Sequence, residues 1–318
     1  MRVLVTGGCG LIGSALVERC LAAGASVSVL DNLSTGRLKN LPDDARVEFV
    51  EGDVCDDALV AGLVRRCGIV AHLAAGVGVG LVLARPTGAL RQGLLGTEVV
   101  LRHAAAARRP VFFASTSEVY GDSDGAPLRE DGPAGFGPPD RIRFTYAAGK
   151  AAGEALAFAY AKEYGLPVVV GRFFNVTGPR QGADHGAVLP SLVGQALRGG
   201  PLQVHGDGGQ TRCFLDAADA AEFVWRLLDA APAGGLLVNV GRDAPVTILD
   251  VARRVRDRVD PSLPIALAPA PYGEGFVPIR HRRPDVARLH AWTKYEPRID
   301  LDATIESCIE GQRAVFRP

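Results

Sequence analysis

Short β-branched runs alternate with longer Ala- and Leu-rich segments through the first half of the chain, and that alternation admits few architectures. Val3 to Val5, Ser26 to Leu30, Val47 to Val50, Ile69 to Ala71, Val111 to Ala114 and Val168 to Val170 read as strands buried on both faces. Predicted helices lie between them, at Leu11 to Ala23 (ended by Gly24), Ala58 to Cys67, about Leu90 to Ala107, and Tyr146 to Tyr164 (ended by Gly165). A helix between successive strands makes those strands parallel, so the expected fold is α/β with a doubly wound parallel sheet. After about residue 172 proline and glycine become frequent and the elements shorten. Pro261 to Pro278 is expected to be mostly loop. The predicted organisation is a first domain over residues 1–172 and a smaller, discontinuous α/β lobe over 173–318. The run Val238-Asn239-Val240 suggests a return to the sheet within about 212–240.

A chain of 318 residues buries a substantial core without disulfides or a structural metal. Its 35 basic and 35 acidic residues balance, which argues against nucleic acid and membrane surfaces as partners. Only four of the basic residues are lysines, Lys39, Lys150, Lys162 and Lys294. Arginine is therefore too common to signal function, whereas a well-placed lysine does. Cys9, Cys20, Cys55, Cys67, Cys213 and Cys308 form no C-x-x-C pair and no metal-ligand spacing, so they read as small buried hydrophobes with no metal site. No signal-peptide pattern and no membrane-length apolar run is visible. A soluble, cytoplasmic protein is expected.

The first strand runs into Thr6-Gly7-Gly8-Cys9-Gly10-Leu11-Ile12-Gly13 and then into an apolar helix. Glycines at 7, 10 and 13 permit a tight turn, close approach to a pyrophosphate, and close packing of helix on strand. The second strand ends at Leu30-Asp31-Asn32, which places a carboxylate where it accepts hydrogen bonds from an adenosine ribose. With no arginine immediately beside it, Asp31 would repel a 2'-phosphate, which favours NAD over NADP. These features make the sheet Rossmann-type. Asp53-Val54, after the third strand, is placed to meet the adenine edge.

Among six tyrosines only Tyr146 has a lysine four residues later, Lys150. Residues i and i+4 share a helix face, so phenol and ammonium point into one site. The cation is expected to lower the Tyr146 pKa and make it usable as a base. Ser115, Thr116, Ser117 and Glu118 follow an apolar strand, where hydroxyls at a sheet's carboxyl end reach a substrate oxygen.

With these elements in one chain, the sequence resembles the extended short-chain dehydrogenase/reductase family, in particular its NAD-dependent nucleotide-sugar epimerases and dehydratases, nearly end to end. The resemblance is carried by the glycine turn from Thr6 to Gly13, by Asp31-Asn32-Leu33-Ser34-Thr35-Gly36, by His72-Leu73-Ala74-Ala75 and by Ser115 to Gly121. Tyr146 with Lys150, Gly171 to Arg180, Gln210-Thr211-Arg212 and Arg282-Arg283-Pro284-Asp285 complete it. Three departures stand out: Gly93-Leu94-Leu95-Gly96-Thr97 where relatives often start with Asn, Gly149 in place of a frequent Ser or Thr, and His205 where an aromatic often lines the nucleotide pocket.

The resemblance implies a two-lobed enzyme that holds NAD in the first lobe and a UDP-sugar between the lobes. It implies Gly7, Gly10, Leu11, Ile12, Gly13, Asp31, Asn32, Ser34, Gly36, Asp53, Val54, Leu73, Ala74, Ala75, Ser115, Tyr146, Lys150 and Phe173 as the cofactor-binding set. Tyr146 would be the acid/base, Lys150 would hold the nicotinamide ribose, and Thr116 would orient the sugar hydroxyl. The implied substrate set adds Ser117, Asn175 at the diphosphate, Val188, Leu189, Gln203, Val204, His205, and Asp285, with Arg212 and Arg282 as diphosphate clamps. The reading favoured on this basis is a UDP-sugar 4-epimerase working through a transient 4-keto sugar, on UDP-glucose or UDP-glucuronate. Gly76-Val77-Gly78-Val79 favours it. The alternative is a UDP-glucuronate decarboxylase forming UDP-xylose, which the Ser117-Glu118 pair and Arg282 resemble, with Glu118 as proton donor. A dehydratase is disfavoured, because that branch usually places an Asp-Glu pair after the threonine. A non-catalytic NAD-binding regulator is the remaining class. A homodimer is implied, pairing through the helices that begin near Leu90 and that carry Tyr146.

Overall fold

The protein is described here by a computed structural model that covers residues 1–76, 86–121, 123–138, 141–182, 187–228, 230–269 and 279–316. Its strands are β1 (Arg2–Thr6), β2 (Ser26–Asp31), β3 (Val47–Glu51), β4 (Ile69–His72), β5 (Val111–Thr116), β6 (Val168–Phe173), β7 (Val176–Thr177), β8 (Leu202–His205), β9 (Thr211–Cys213), β10 (Leu215–Asp216), β11 (Leu236–Val240), β12 (Pro245–Thr247), β13 (Ile265–Ala268) and β14 (His281–Arg282). Its helices are α1 (Leu11–Ala22), α2 (Asp57–Arg66), α3 (Pro86–Ala107), α4 (Thr145–Tyr164), α5 (Val188–Leu197), α6 (Ala217–Leu227), α7 (Ile248–Val259), α8 (Ala287–Thr293) and α9 (Leu301–Phe316).

Seven parallel strands form the main sheet in the order β11-β6-β5-β4-β1-β2-β3. From β1 the chain first moves outward through β2 and β3, then crosses back to β4 on the other side of β1. That reversal opens a crevice at the carboxyl ends of β1 and β4, the place where ligands bind in such sheets. One face of the sheet buries Val3, Val5, Val27 and Val29 against Leu16, Val17 and Cys20 of α1 and Phe223, Val224 and Leu227 of α6. The other face buries Leu4, Leu30, Val70 and Phe113 against α2, α3 and α4. Each fully buried side chain of this size contributes about 1.5–3 kcal/mol.

The apolar runs become strands because successive side chains on opposite faces are both covered. The strand Val238-Asn239-Val240 joins the sheet edge beside β6, and α6 packs on α1, so segments from late in the chain return to the first layer. A separate small core lies between α5, α7 and α9, around Leu192, Val251, Val255 and Ile305. Within Pro261 to Pro278, expected to be mostly loop, the described residues hold one short strand. Ile265–Ala268 is β13, paired in parallel with β8, and residues 270–278 lie outside the described set. This strand is half-buried at best, so it lacks the apolar signature that marked the others. Helix α3 begins at Pro86, four residues before the expected start. Proline at a helix start sacrifices no hydrogen bond, because that N–H has no partner within the helix.

Candidate active site

The glycine turn after β1 is built by close contacts that leave no room for side chains. Gly7 adopts φ +71°, and a Cβ there would lie 2.8 Å from Ala74 Cα. A Cβ on Gly13 would sit 2.2 Å from the Gly7 carbonyl oxygen. The turn therefore presses against the segment after β4 and seats α1 directly on itself. Helices α2, α6 and α7 are capped by the side chains of Asp56, Asp216 and Thr247, whereas α1 starts at Gly10 with no side-chain cap and no acidic residue in its first turn. Its first N–H groups are left for an anion.

A cavity of about 320 Å³ opens over this turn. It is lined by Gly7, Gly10, Leu11, Ile12 and Gly13, by Asp31, Asn32 and Ser34, by Val54, by Leu73, Ala74 and Ala75, by Ser115 and Thr116, and by Tyr146, Lys150, Phe173 and Asn175. All come from the carboxyl ends of β1 to β6 or from α1 and α4. Asp31 is 8% exposed, and its carboxylate accepts from the Cys9 N–H at 2.9 Å and the Leu33 N–H at 2.8 Å, which aims it at the cavity mouth. A buried carboxylate so held suits ribose hydroxyls and repels a phosphate. The glycine cradle, the uncapped helix and this carboxylate together fit a dinucleotide. Thr35, Arg37, Asn40, Gln92, Arg180 and Gln181 also line the cavity and were not singled out from the sequence.

Other expected residues lie elsewhere. Gly36 packs against Cys9, where a Cβ would fall 2.8 Å from the carbonyl carbon, so it supports the turn from outside. Asp53 turns its carboxylate to Asn32 Nδ2 at 2.9 Å and the Cys55 N–H at 2.9 Å, while its neighbours Gly52 and Val54 face the cavity. Leu189 and Val204 are buried in the second core, and Val188 is exposed. Gln203 is exposed, and its N–H donates to Gln195 Oε1 at 2.7 Å. His205 Nδ1 donates to the Pro269 carbonyl at 2.8 Å, and Asp285 accepts from the Ala287 N–H at the start of α8. Arg212 donates to the carbonyls of Thr211 and Ile279 at 2.7 and 2.9 Å. Val77 to Val79 lie outside the described residues.

Tyr146, half-buried, and Lys150, buried, both line the cavity from α4. Gly153 allows this, because a Cβ there would meet Phe113 Cζ at 2.7 Å, so the helix sits tightly on β5. Gly149 likewise meets Leu90 Cδ1 of α3 at 3.0 Å. Lys150 Nζ donates to the Ala114 carbonyl at 2.6 Å and lies 4.8 Å above the Phe113 ring. The expected lowering of the Tyr146 pKa is not what this arrangement produces. Burial pushes the phenol well above its ordinary value, and the Glu118 charge adds to the push. Burial also pulls the Lys150 ammonium down to about 8, opposed by Glu154. His72, hydrogen-bonded to Thr6 Oγ1 at 2.8 Å and Thr97 Oγ1 at 3.1 Å, is pulled down to about 3 by burial and then by Lys150, so it stays neutral.

Beside Tyr146, the 3-10 turn Ser117–Tyr120 carries Glu118. Thr116 Oγ1 caps that turn by accepting from the Glu118 N–H at 3.2 Å. Ser117 is buried. Glu118 Oε1 accepts from Arg282 Nη1 at 2.6 Å across 164 residues of sequence. Arg282 is 5% exposed, and its Nε and Nη2 are buried with no partner among the described residues. These two donors share one edge of the planar guanidinium, the edge that pairs with planar oxyanions, though neither Glu118 nor Arg282 is among the described residues that line the cavity.

A model of the NAD dependent epimerase/dehydratase family matches residues 3–241. The chain belongs to that family. Family membership and the cradle geometry together make NAD its cofactor. Similar proteins include the UDP-N-acetyl-alpha-D-glucosaminuronate decarboxylase of Bacillus cytotoxicus, 33% identical across 99% of this chain and 98% of that protein. UDP-glucuronic acid decarboxylase 4 of Arabidopsis thaliana is 32% identical across 95% of this chain, which spans 66% of the plant protein. The NAD complex of UDP-glucose 4-epimerase from Thermus thermophilus superposes with a TM-score of 0.86 at 31% identity, covering 98% of this chain and 99% of that one. Like those proteins, this chain has a Rossmann-like α/β fold, and no described helix is long and apolar enough to cross a membrane.

Proposed function

We propose that this family member is an NAD-dependent UDP-hexuronate decarboxylase that converts a UDP-glucuronate-type sugar into the UDP-pentose, working as a homodimer. The observation that carries the reading is the Glu118–Arg282 pair at 2.6 Å, with two further buried Arg282 donors that have no partner among the described residues. A hexuronate carboxylate accepts from both donors at once, a closer match to the guanidinium edge than a neutral sugar's hydroxyls, and this reading moves Arg282 from the diphosphate role implied by resemblance to the sugar carboxylate. The two decarboxylases among the similar proteins point the same way. This reverses the preference for epimerisation reached from sequence.

Gly7, Gly10, Gly13 and the α1 N-terminus would hold the cofactor's pyrophosphate, Asp31 its adenosine ribose, and Lys150 its nicotinamide ribose. When bound, NAD supplies reversible hydride acceptance at the sugar C4 and a positive charge beside Tyr146. Tyr146, with the Lys150 ammonium near it, takes the C4 hydroxyl proton, and Thr116 orients that hydroxyl. Burial raises the phenol pKa, so positive charge gathered beside Tyr146, that of Lys150 included, is what favours the phenolate that accepts this proton. The resulting C4 ketone lies β to the C5 carboxylate, the arrangement from which carbon dioxide leaves with its electron pair remaining on the sugar. Arg282 holds the carboxylate beforehand, and Glu118, a carboxylate at rest, takes up a proton from solvent and passes it to C5. Tyr146 returns its proton to the C4 oxygen as the ketone is reduced.

Release of labelled carbon dioxide from carboxyl-labelled UDP-glucuronate tests the assignment. Arg282→Gln is expected to slow release on the order of a hundredfold, mainly through KM. An unchanged rate in that variant contradicts it. For the homodimer, α3 and α4 pack on each other and leave Leu95 45% exposed and Ala155 exposed, an unpolar strip able to pair with a second copy.

A further inference from the structure

Glu154 was not visible as a site residue in the sequence and takes no part in the chemistry above, yet it is the most heavily bonded carboxylate behind the cavity. Its Oε1 accepts from Ser115 Oγ at 2.5 Å and from Arg172 Nε at 2.9 Å, and its Oε2 accepts from Arg172 Nη2 at 2.7 Å. The Glu154 and Arg172 side chains are only 8% and 5% exposed. Arg172 is held from behind, with its guanidinium 4.5 Å over the Tyr120 ring, whose hydroxyl donates to Asn239 Oδ1 at 2.7 Å. Lys150 stands one helical turn before Glu154, on the same buried face of α4. A buried ion pair is a poor device for stability alone, since apolar residues of similar volume serve as well. Its location behind the site cation suggests a different use.

We propose that Glu154, clamped by Arg172 and Ser115, is a positioning residue that keeps the Lys150 ammonium charged and aimed into the cavity. The clamp also commits the Ser115 hydroxyl proton to Glu154, so Ser115 offers only lone pairs to whatever fills the cavity. The charged and titratable groups around Lys150 are few. Tyr146 and Glu154 face it from α4 itself. From β4 comes His72, which is neutral, and from β5 only the Phe113 ring and the Ala114 carbonyl, while Arg172 on β6 stands behind Glu154. Glu154 is thus the negative charge that opposes desolvation of Lys150, in keeping with a titration held at about 8 and not lower. The inference rests on Lys150 being the site cation, but holds equally for decarboxylation and epimerisation.

With four lysines in the chain, selectively labelled lysine side chains can be followed individually by NMR, and Lys150→Met identifies the Lys150 signal. No substrate is needed, so failure here is separate from failure of the decarboxylase reading. In Glu154→Gln the Lys150 midpoint is expected to fall by about one pH unit, because the carboxylate is lost and Arg172 remains cationic. Glu154→Asp, which keeps the charge, is expected to restore most of the parent midpoint. Should Glu154→Gln not fold, Glu154→Met with Arg172→Met removes the pair without stranding a buried charge, and the midpoint is again expected to fall. The alkaline limb of kcat/KM moves to lower pH with the Lys150 midpoint. A Lys150 midpoint unchanged in either the Gln variant or the double variant overturns the proposal and leaves Glu154 a packing residue.

Discussion

Tyr146 and Lys150 are one turn apart, yet burial moves their pKa values in opposite directions, each shift being toward the neutral form. Tyr146→Phe removes the only phenol among the described residues that line the cavity and is expected to lower the turnover rate on the order of 10²–10⁴-fold, with NAD affinity kept, as measured by steady-state kinetics and cofactor titration. Lys150 carries a second, thermodynamic consequence. Its folded pKa of about 8 lies below the ordinary 10.5, so the unfolded chain binds more protons between those values. The native state bears the full cost of the buried cation below pH 8, and stability from this group rises as pH climbs from 8 to 10.5. Lys150→Met is therefore expected to stabilise the cofactor-free protein by about 1–2 kcal/mol at pH 7, a gain that shrinks toward pH 10.5 in thermal unfolding. The Tyr146 and Lys150 pairing was legible because it is local, four residues on one helix. The Glu154–Arg172 clamp was not, because its partners sit on α4 and β6 and arginine is too abundant in this chain for any one to stand out.

The elements position the site through glycines more than through polar contacts. At Gly13 a methyl group would overlap the Gly7 carbonyl, backbone that cannot move without opening the turn. Gly13→Ala is expected to destabilise the fold by about 1–3 kcal/mol and to weaken NAD binding at least tenfold, measured by denaturant unfolding and calorimetry. Gly153→Ala pushes α4 away from the Phe113 ring and carries Tyr146 and Lys150 with it, so it is expected to lower kcat more than it raises KM. The strand and helix alternation was readable because β1, β2, β4, β5 and β6 are apolar on both faces. Strand β13 escaped because its side chains remain half-exposed between prolines, so burial left no mark on its sequence.

Across the whole molecule, the decisive pair joins the carboxyl end of β5 to β14, 164 residues apart. No periodicity or spacing rule reaches that far, which is why Glu118 and Arg282 were readable only by resemblance while the NAD cradle was readable from chemistry. The change in strand order at β1 and β4 places the cradle, and β14, paired with β9 in the second half of the chain, brings Arg282 to Glu118. If α3 and α4 pair two copies, Leu95→Arg with Ala155→Arg is expected to convert the particle in sedimentation from dimer to monomer, and a parent protein that sediments as a monomer contradicts the pairing. The central claim concerns the fate of the carboxylate, and the mass of the product reads it directly. Incubated with NAD and UDP-glucuronate, the protein is expected to yield a UDP-sugar lighter by about 44 mass units, the carbon dioxide lost. A UDP-sugar product of unchanged mass contradicts decarboxylation and returns the protein to the epimerases.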